Sequence, residues 1–373
     1  MSIYCDYSAT TPLSPQVLQS MLPYFTEQFG NASASHRLGR QAKVILDNSR
    51  KKIADLLNVT PSDIIFTSGG TEADNLALKG SIQKWGIRHV ITSKIEHKAV
   101  LNPLKQSAVE IHYVALDEKG QVQISDLIRL LQQYPNSLVS LMHANNELGN
   151  ILDIEIISEL CKRYKAYFHS DTVQTMGKLP IPLSYLDWAT ASAHKFRGPK
   201  GVGFLYASRS VSPVISGGGQ ENGLRGGTEN IANIVGLTTA LELSLAKQAE
   251  VNKHLGVVKA HFLKGLKSLF PHLTYNGNSE SVSNSLPGLI NIRFPHVPNG
   301  ESLVRLLDEA GIYVSGGSAC SNLAGGSHVL QALPGTAGHE NVRFSFGSET
   351  TLRNVNTILS QLAAVYHQQP VFA

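Results

Sequence analysis

Residues 187–206 read DWATASAHKFRGPKGVGFLY. An apolar, strand-like run (DWATAS) ends at Ser192, and Lys195 follows before a Gly- and Pro-rich turn and a second apolar run. Desolvating an ammonium is costly, so a lysine at the end of a buried strand needs a partner or a task. Lys200, just after Pro199 in the GPKG turn, reads as a surface or loop-supporting charge.

Outward from this stretch, β-rich runs alternate with helical patterns. DIIFTS (63–68), HVITS (89–93), EIHYVAL (110–116), SLVSLMH (137–143) and KAYFHS (165–170) read as strands. Segments 71–85, 123–134 and 153–164 carry the apolar spacing of helices. Such alternation predicts an α/β fold, a mainly parallel sheet between helices, with its ligand site at the carboxyl ends of the strands. A Gly-rich loop (216–228) and a long helical stretch (229–271) follow. Segment 272–287 reads as a polar surface loop. LINIRF, a helix near 301–310, IYVSGG, VRFSF and a last helix make a smaller C-terminal α/β cluster. The expected division is a large domain over 13–255 and a small domain from 1–12 and 256–373.

The chain has 373 residues, 42% hydrophobic and 16% charged, which suits a globular enzyme with an ample core. A net charge of +4 without a Lys/Arg run gives no case for nucleic acid. Three scattered cysteines, Cys5, Cys161 and Cys320, suggest no disulfide framework or metal knuckle. The start, MSIYCDYSATTP, lacks a signal peptide's pattern, and no apolar run is long enough for a bilayer, so no membrane and a cytoplasmic location are expected.

The predicted strand ends gather chemistry. Gly69-Gly70-Thr71 opens a helix, an anion cradle or else a plain turn with Thr71 as cap. His97, Asn146, Asp171 and Gln174 follow three other strands. Each has a bland explanation, and no second carboxylate near Asp171 supports a metal, so none is expected. Together, an anion cradle, an imidazole, amides, an acid and a lysine on one sheet edge make the set a pyridoxal 5'-phosphate (PLP) site needs. There a lysine forms a Schiff base with the aldehyde and a carboxylate pairs with the ring nitrogen. GxGxxG, GxxxxGK[ST] and HExxH are absent, which disfavours dinucleotide, nucleoside triphosphate and zinc-protease readings.

The blocks YCDYSATTP (4–12), FTSGGTEADNLALKG (66–80), EHKAV (96–100), MHANNELGN (142–150), FHSDTVQTMGK (168–178), SAHKFRGPKGVG (192–203), GGGQENGLRGGTEN (217–230), SGGSAC (315–320) and VRFSFG (342–347) occur in this order. In them the chain resembles cysteine desulfurases of the NifS/IscS type, in the class V branch of fold-type I PLP enzymes. The resemblance implies a fold-type I PLP-dependent transferase that converts L-cysteine to L-alanine. The sulfur would pass to Cys320 as a persulfide and on to an acceptor protein, such as an iron-sulfur scaffold.

By position, the resemblance makes Lys195 the cofactor-bearing lysine and places His97 over the ring. It pairs Asp171 with the ring nitrogen and Gln174 with the phenolic oxygen. Gly70, Thr71, Ser192 and His194 would hold the phosphate, with Thr228 of a neighbouring subunit, which implies a homodimer. Asn146 would touch cofactor or substrate, and Arg343 would clamp the substrate carboxylate. Cys320 would be the nucleophile, set among Gly and Ser in GIYVSGGSACSNLAGGSHVL, with nothing to bury a thiol. Cys5 and Cys161 read as buried hydrophobes.

The stretch after Cys320 is short for the family, and Ser348-Glu349 replaces a basic residue often seen there; both bear on the acceptor rather than on the chemistry. The alternatives are a related PLP enzyme such as a selenocysteine lyase, or a non-catalytic binding protein on this fold.

Overall fold

The computed structural model describes residues 2–295, 302–316, 326–336 and 338–367, so Cys320 lies outside the described residues. Strand β1 (Ile3–Tyr4) is followed by β2 (Ile64–Thr67), β3 (His89–Thr92), β4 (Glu110–Tyr113) and β5 (Leu138–Ser140). Then come β6 (Tyr167–Asp171), β7 (Trp188–Ser192) and β8 (Gly203–Ala207). The last seven form one sheet in the order β2-β8-β7-β6-β5-β3-β4. Only β8 runs against its neighbours, so the other six carboxyl ends share one edge.

Every residue of β2, β5, β7 and β8 is buried, because helices cover both faces. Ile64, Phe66, Ile91, Val139 and Phe168 belong to the core on one face. Ile65, Val90, Leu138 and Trp188 belong to the core on the other, against the helix Gly70–Trp85. At the far edge, β4 is partly exposed.

A smaller sheet contains β9 (Thr274–Tyr275), β10 (Leu289–Phe294), β12 (Ser315–Gly316) and β13 (Glu340–Ser345), whereas β11 (Ile312–Tyr313) pairs with β1. The helix Ile231–Leu269 serves both cores. Ile231, Ile234, Leu237 and Leu241 pack in the large one, and Leu255, Val258, Phe262 and Leu266 in the small one. At 1.5 Å per residue its 39 residues extend for about 58 Å, long enough to join two cores side by side.

Four details differ from the sequence reading. The 21-residue helix Arg37–Leu57 was not anticipated, although Ala42, Leu46 and Ile53 give it a buried stripe. The run IYVSGG is two strands, since Val314 marks a crossing from β1's sheet to β13's. Segment 272–287 is anchored rather than merely superficial: Asn276 is fully buried, donating to the side-chain oxygens of Asn291 and Asn341 at 2.8 and 2.7 Å. The predicted strand 137–143 pairs regularly only over β5, yet Leu141 and His143 still donate to the carbonyls of His169 and Asp171. This extension carries the chain to the sheet edge where the chemistry gathers.

Candidate active site

A cavity of about 530 Å³ opens at that edge, lined by Gly69, Gly70, Thr71, His97, Asn146, Asp171, Gln174, Ser192, His194 and Lys195. The residues assigned from sequence therefore converge, with three exceptions. Thr228 is exposed on the Gly-rich loop and does not line the cavity. Arg343 is buried on β13 and also lies off the lining. Cys320 is outside the described residues.

Lys195 follows β7 on the single turn Ala193–Lys195. Its Nζ donates to the carbonyls of Ser8 and Ala9 at 2.6 and 2.8 Å, so the turn that follows β1 is part of the site. Burial, and then the charge of Arg343, pushes Lys195 down from 10.5 to about 8; Asp171 and Asp6 oppose them. A carbonyl carbon is attacked by the free amine, not the ammonium. Capture of PLP by cofactor-stripped protein should therefore accelerate as pH rises towards 8 and level off above it. A rate still climbing steeply at pH 10, as an ordinary lysine near 10.4 gives, would contradict this.

Asp171 ends β6, and its Oδ1 accepts from the Val173 amide at 2.9 Å. Burial, and then the nearby Asp74 carboxyl, raises Asp171 to about 6, with His97 working against them. Asp74, from the helix Gly70–Trp85, accepts from Thr190 Oγ1 at 2.9 Å and lies 3.5 Å from His169 Nε2; burial raises it to about 7. Glu96 is a third buried acid, pushed to about 8 chiefly by burial. Its Oε1 accepts from Ser93 Oγ and the Met142 amide, while Oε2 has no hydrogen-bond partner among the described residues. All three carboxyls are raised chiefly by burial, and a positive charge arriving beside Asp171 would favour its ionised form.

His97 caps the helix Lys98–Lys105, its Nδ1 accepting from the Ala99 amide at 3.1 Å. That bond leaves the proton of the neutral ring on Nε2. Burial, and to a smaller extent the charge of Lys195, holds His97 below its ordinary range. Gln174 donates from Nε2 to the Ser8 carbonyl at 2.9 Å, and its buried Oε1 has no partner among the described residues.

At the opposite end, Gly69 at φ 154° turns the chain into the helix Gly70–Trp85. A Cβ on Gly70 would sit 2.7 Å from Val173 Cγ2, so only glycine lets the helix start this close. Lys200, expected at the surface, is exposed but lies on the cavity rim. The donor set fits PLP: amides and hydroxyls for a phosphate at one end, acids for a cationic ring nitrogen at the other, and a lysine between.

Arg343 is already engaged, donating from Nη1 to the Asn146 carbonyl at 2.8 Å and from Nη2 to Asp6 and Ser315 Oγ at 2.6 and 2.9 Å. Its buried Nε has no partner among the described residues. A carboxylate arriving here meets a guanidinium oriented by Asp6 rather than a free one. Ser348 and Glu349 bind Arg197, two residues past Lys195, at 3.1 and 2.6 Å, tying the small domain to the lysine turn.

The sequence reading gave no role to Asp74, His169 or Glu96. Asp74 lies one helical turn beyond Gly70, a spacing that could have put it under the cradle. Burial pushes the Cys5 thiol up to about 12 and also raises Cys161; neither lines the cavity.

Residues 3–358 match the family model described as aminotransferase class-V. The chain belongs to that family. It is 41% identical to a cysteine desulfurase IscS of Dictyoglomus turgidum, over 97% of this chain and 94% of the relative. A solved NifS-like protein superposes with a TM-score of 0.89 at 35% identity, covering 98% of this chain and 99% of its own. A structure described as SspA in complex with cysteine gives 0.77 at 32% identity, over 94% and 100% of the two chains. Members of this family are PLP-dependent, and the cavity lies where a fold-type I enzyme needs it.

Proposed function

We propose that this protein is a PLP-dependent cysteine desulfurase that converts L-cysteine to L-alanine and loads the sulfur onto Cys320. The observation that carries the reading is Lys195: a half-desolvated amine between a buried acid, Asp171, and a glycine-lined helix start. Full-length similarity to a cysteine desulfurase supports it, as does likeness to a structure solved with cysteine.

When bound, PLP supplies an electron sink that labilises the bonds at the substrate's Cα. Lys195 would anchor the cofactor, and its amine would serve as the base at that carbon. Asp171 would keep the ring nitrogen charged, and His97 would lie over the ring with its Nε2 proton available. Gly70, Thr71, Ser192 and His194 would hold the phosphate, and Gln174 would meet the phenolic oxygen. Asn146 and Arg343 orient the substrate carboxylate.

The sulfur step balances without an external oxidant. The Cys320 thiolate attacks the substrate sulfur, an S–S bond forms as the C–S bond breaks, and the electron pair with a proton ends on the carbon that becomes alanine's methyl. The products are alanine and a Cys320 persulfide. We assign the persulfide to an acceptor protein, and Thr228 to the cofactor phosphate of a second copy in a homodimer. Among the described residues, no helix is long and apolar enough to cross a membrane.

Incubating the purified protein with PLP, L-cysteine and a thiol reductant should yield alanine and sulfide in equal amounts. Pyruvate in place of alanine, or amino transfer to an added keto acid, would contradict the assignment. Asp171→Asn keeps the shape but loses the charge. Turnover should fall on the order of 10²-fold, the scale of losing one preorganised electrostatic contact, while PLP absorbance is largely retained. Wild-type turnover in that variant would place the role on another acid.

A further inference from the structure

At the amino ends of β3 and β4, opposite the cavity, three ligating side chains converge on one face of the sheet. The parallel register pairs His89 with Glu110 and Ile91 with His112, so His89, Glu110 and His112 point the same way. His89 Nδ1 lies 3.2 Å from His112 Nε2 and 3.6 Å from Glu110 Oε2, and all three ligand atoms lie within 4.8 Å of one another. Among the described residues no other trio of this kind comes together.

We propose that His89, Glu110 and His112 form a binding site for a divalent transition-metal ion of the zinc class, with one position left for solvent. Two ligand atoms on a tetrahedral zinc, at bonds of about 2.0–2.1 Å, stand about 3.3 Å apart. The His89–His112 separation matches that edge, and the His89–Glu110 separation is a few tenths of an ångström longer. Two imidazoles and a carboxylate are a donor set that zinc, cobalt and nickel take readily.

The imidazoles are preorganised. Tyr134 stacks on His112 at 3.7 Å between centroids with 14° between planes, and lies 4.8 Å from His89. Glu110 is 71% exposed on its side chain, so an ion reaches the trio directly from solvent. Because β4 is the last strand of the sheet, a shared ion would clip an otherwise exposed edge to β3.

Titration of the PLP-loaded protein with Co(II) tests this. Expected is one equivalent bound, with visible ligand-field bands but no strong thiolate charge-transfer band, and a rise in Tm with Zn(II) or Co(II). His112→Ala and Glu110→Gln should each weaken that binding at least about tenfold while leaving cysteine turnover unchanged. Glu110→Gln alters an exposed side chain and will not disturb folding. Unchanged Co(II) binding in both variants, a thiolate signature, or no binding by the parent protein would overturn the proposal.

Discussion

Lys195→Ala is expected to lower alanine formation from L-cysteine by roughly 10³–10⁴-fold, since it removes both the covalent anchor and the base. The variant should stay folded, because Lys195 Nζ faces a cavity and its hydrogen-bond partners are two backbone carbonyls that water can reach. PLP would then be held only by the phosphate cradle and Asp171, so its visible absorbance should shift towards that of the free aldehyde. Lys200→Ala removes a charge from the rim and leaves Lys195 in place. It should weaken PLP affinity at most modestly. Comparable losses in the two variants would mean that the rim, not the turn after β7, carries the chemistry.

Cys320→Ser should abolish alanine release to a similar extent, but at a different step. PLP binding and the response of its absorbance to L-cysteine depend on Lys195 and the cavity, so both should persist. Sulfur abstraction needs a thiolate, and a serine hydroxyl is hardly ionised at neutral pH and would have to form an S–O bond. An ordinary thiol near 8.5 is only a few per cent thiolate at pH 7. Cys5→Ser and Cys161→Ser, at buried thiols away from the cavity, should cost about 1 kcal/mol of stability and little turnover. Alanine production across the three single variants separates these roles. Near-normal turnover in Cys320→Ser would end the desulfurase assignment in favour of a thiol-independent lyase.

The residues of the site were legible because each follows an apolar strand, and a parallel sheet brings successive strand ends to one edge. Lys195, Asp171 and Gly70 are of this kind. What escaped the sequence lies between elements rather than within one. Asp74 reaches the site from inside a helix, and only packing against Thr190 and His169 shows it under Asp171. Ser8 and Ala9 meet Lys195 across about 187 residues of chain, a contact that no periodicity encodes. The trio of His89, Glu110 and His112 depends on the register of β3 against β4, which is set by the sheet and not by spacing. The helix Arg37–Leu57 did carry a readable signal, its buried stripe of Ala42, Leu46 and Ile53.

The central claim is that Lys195 carries the cofactor. Borohydride reduction of the PLP-loaded protein, followed by proteolysis and mass mapping, tests it most directly. The account predicts a reduced pyridoxyl phosphate mass on the peptide containing Lys195 and none elsewhere in stoichiometric amount. The same mass on Lys200 would contradict it.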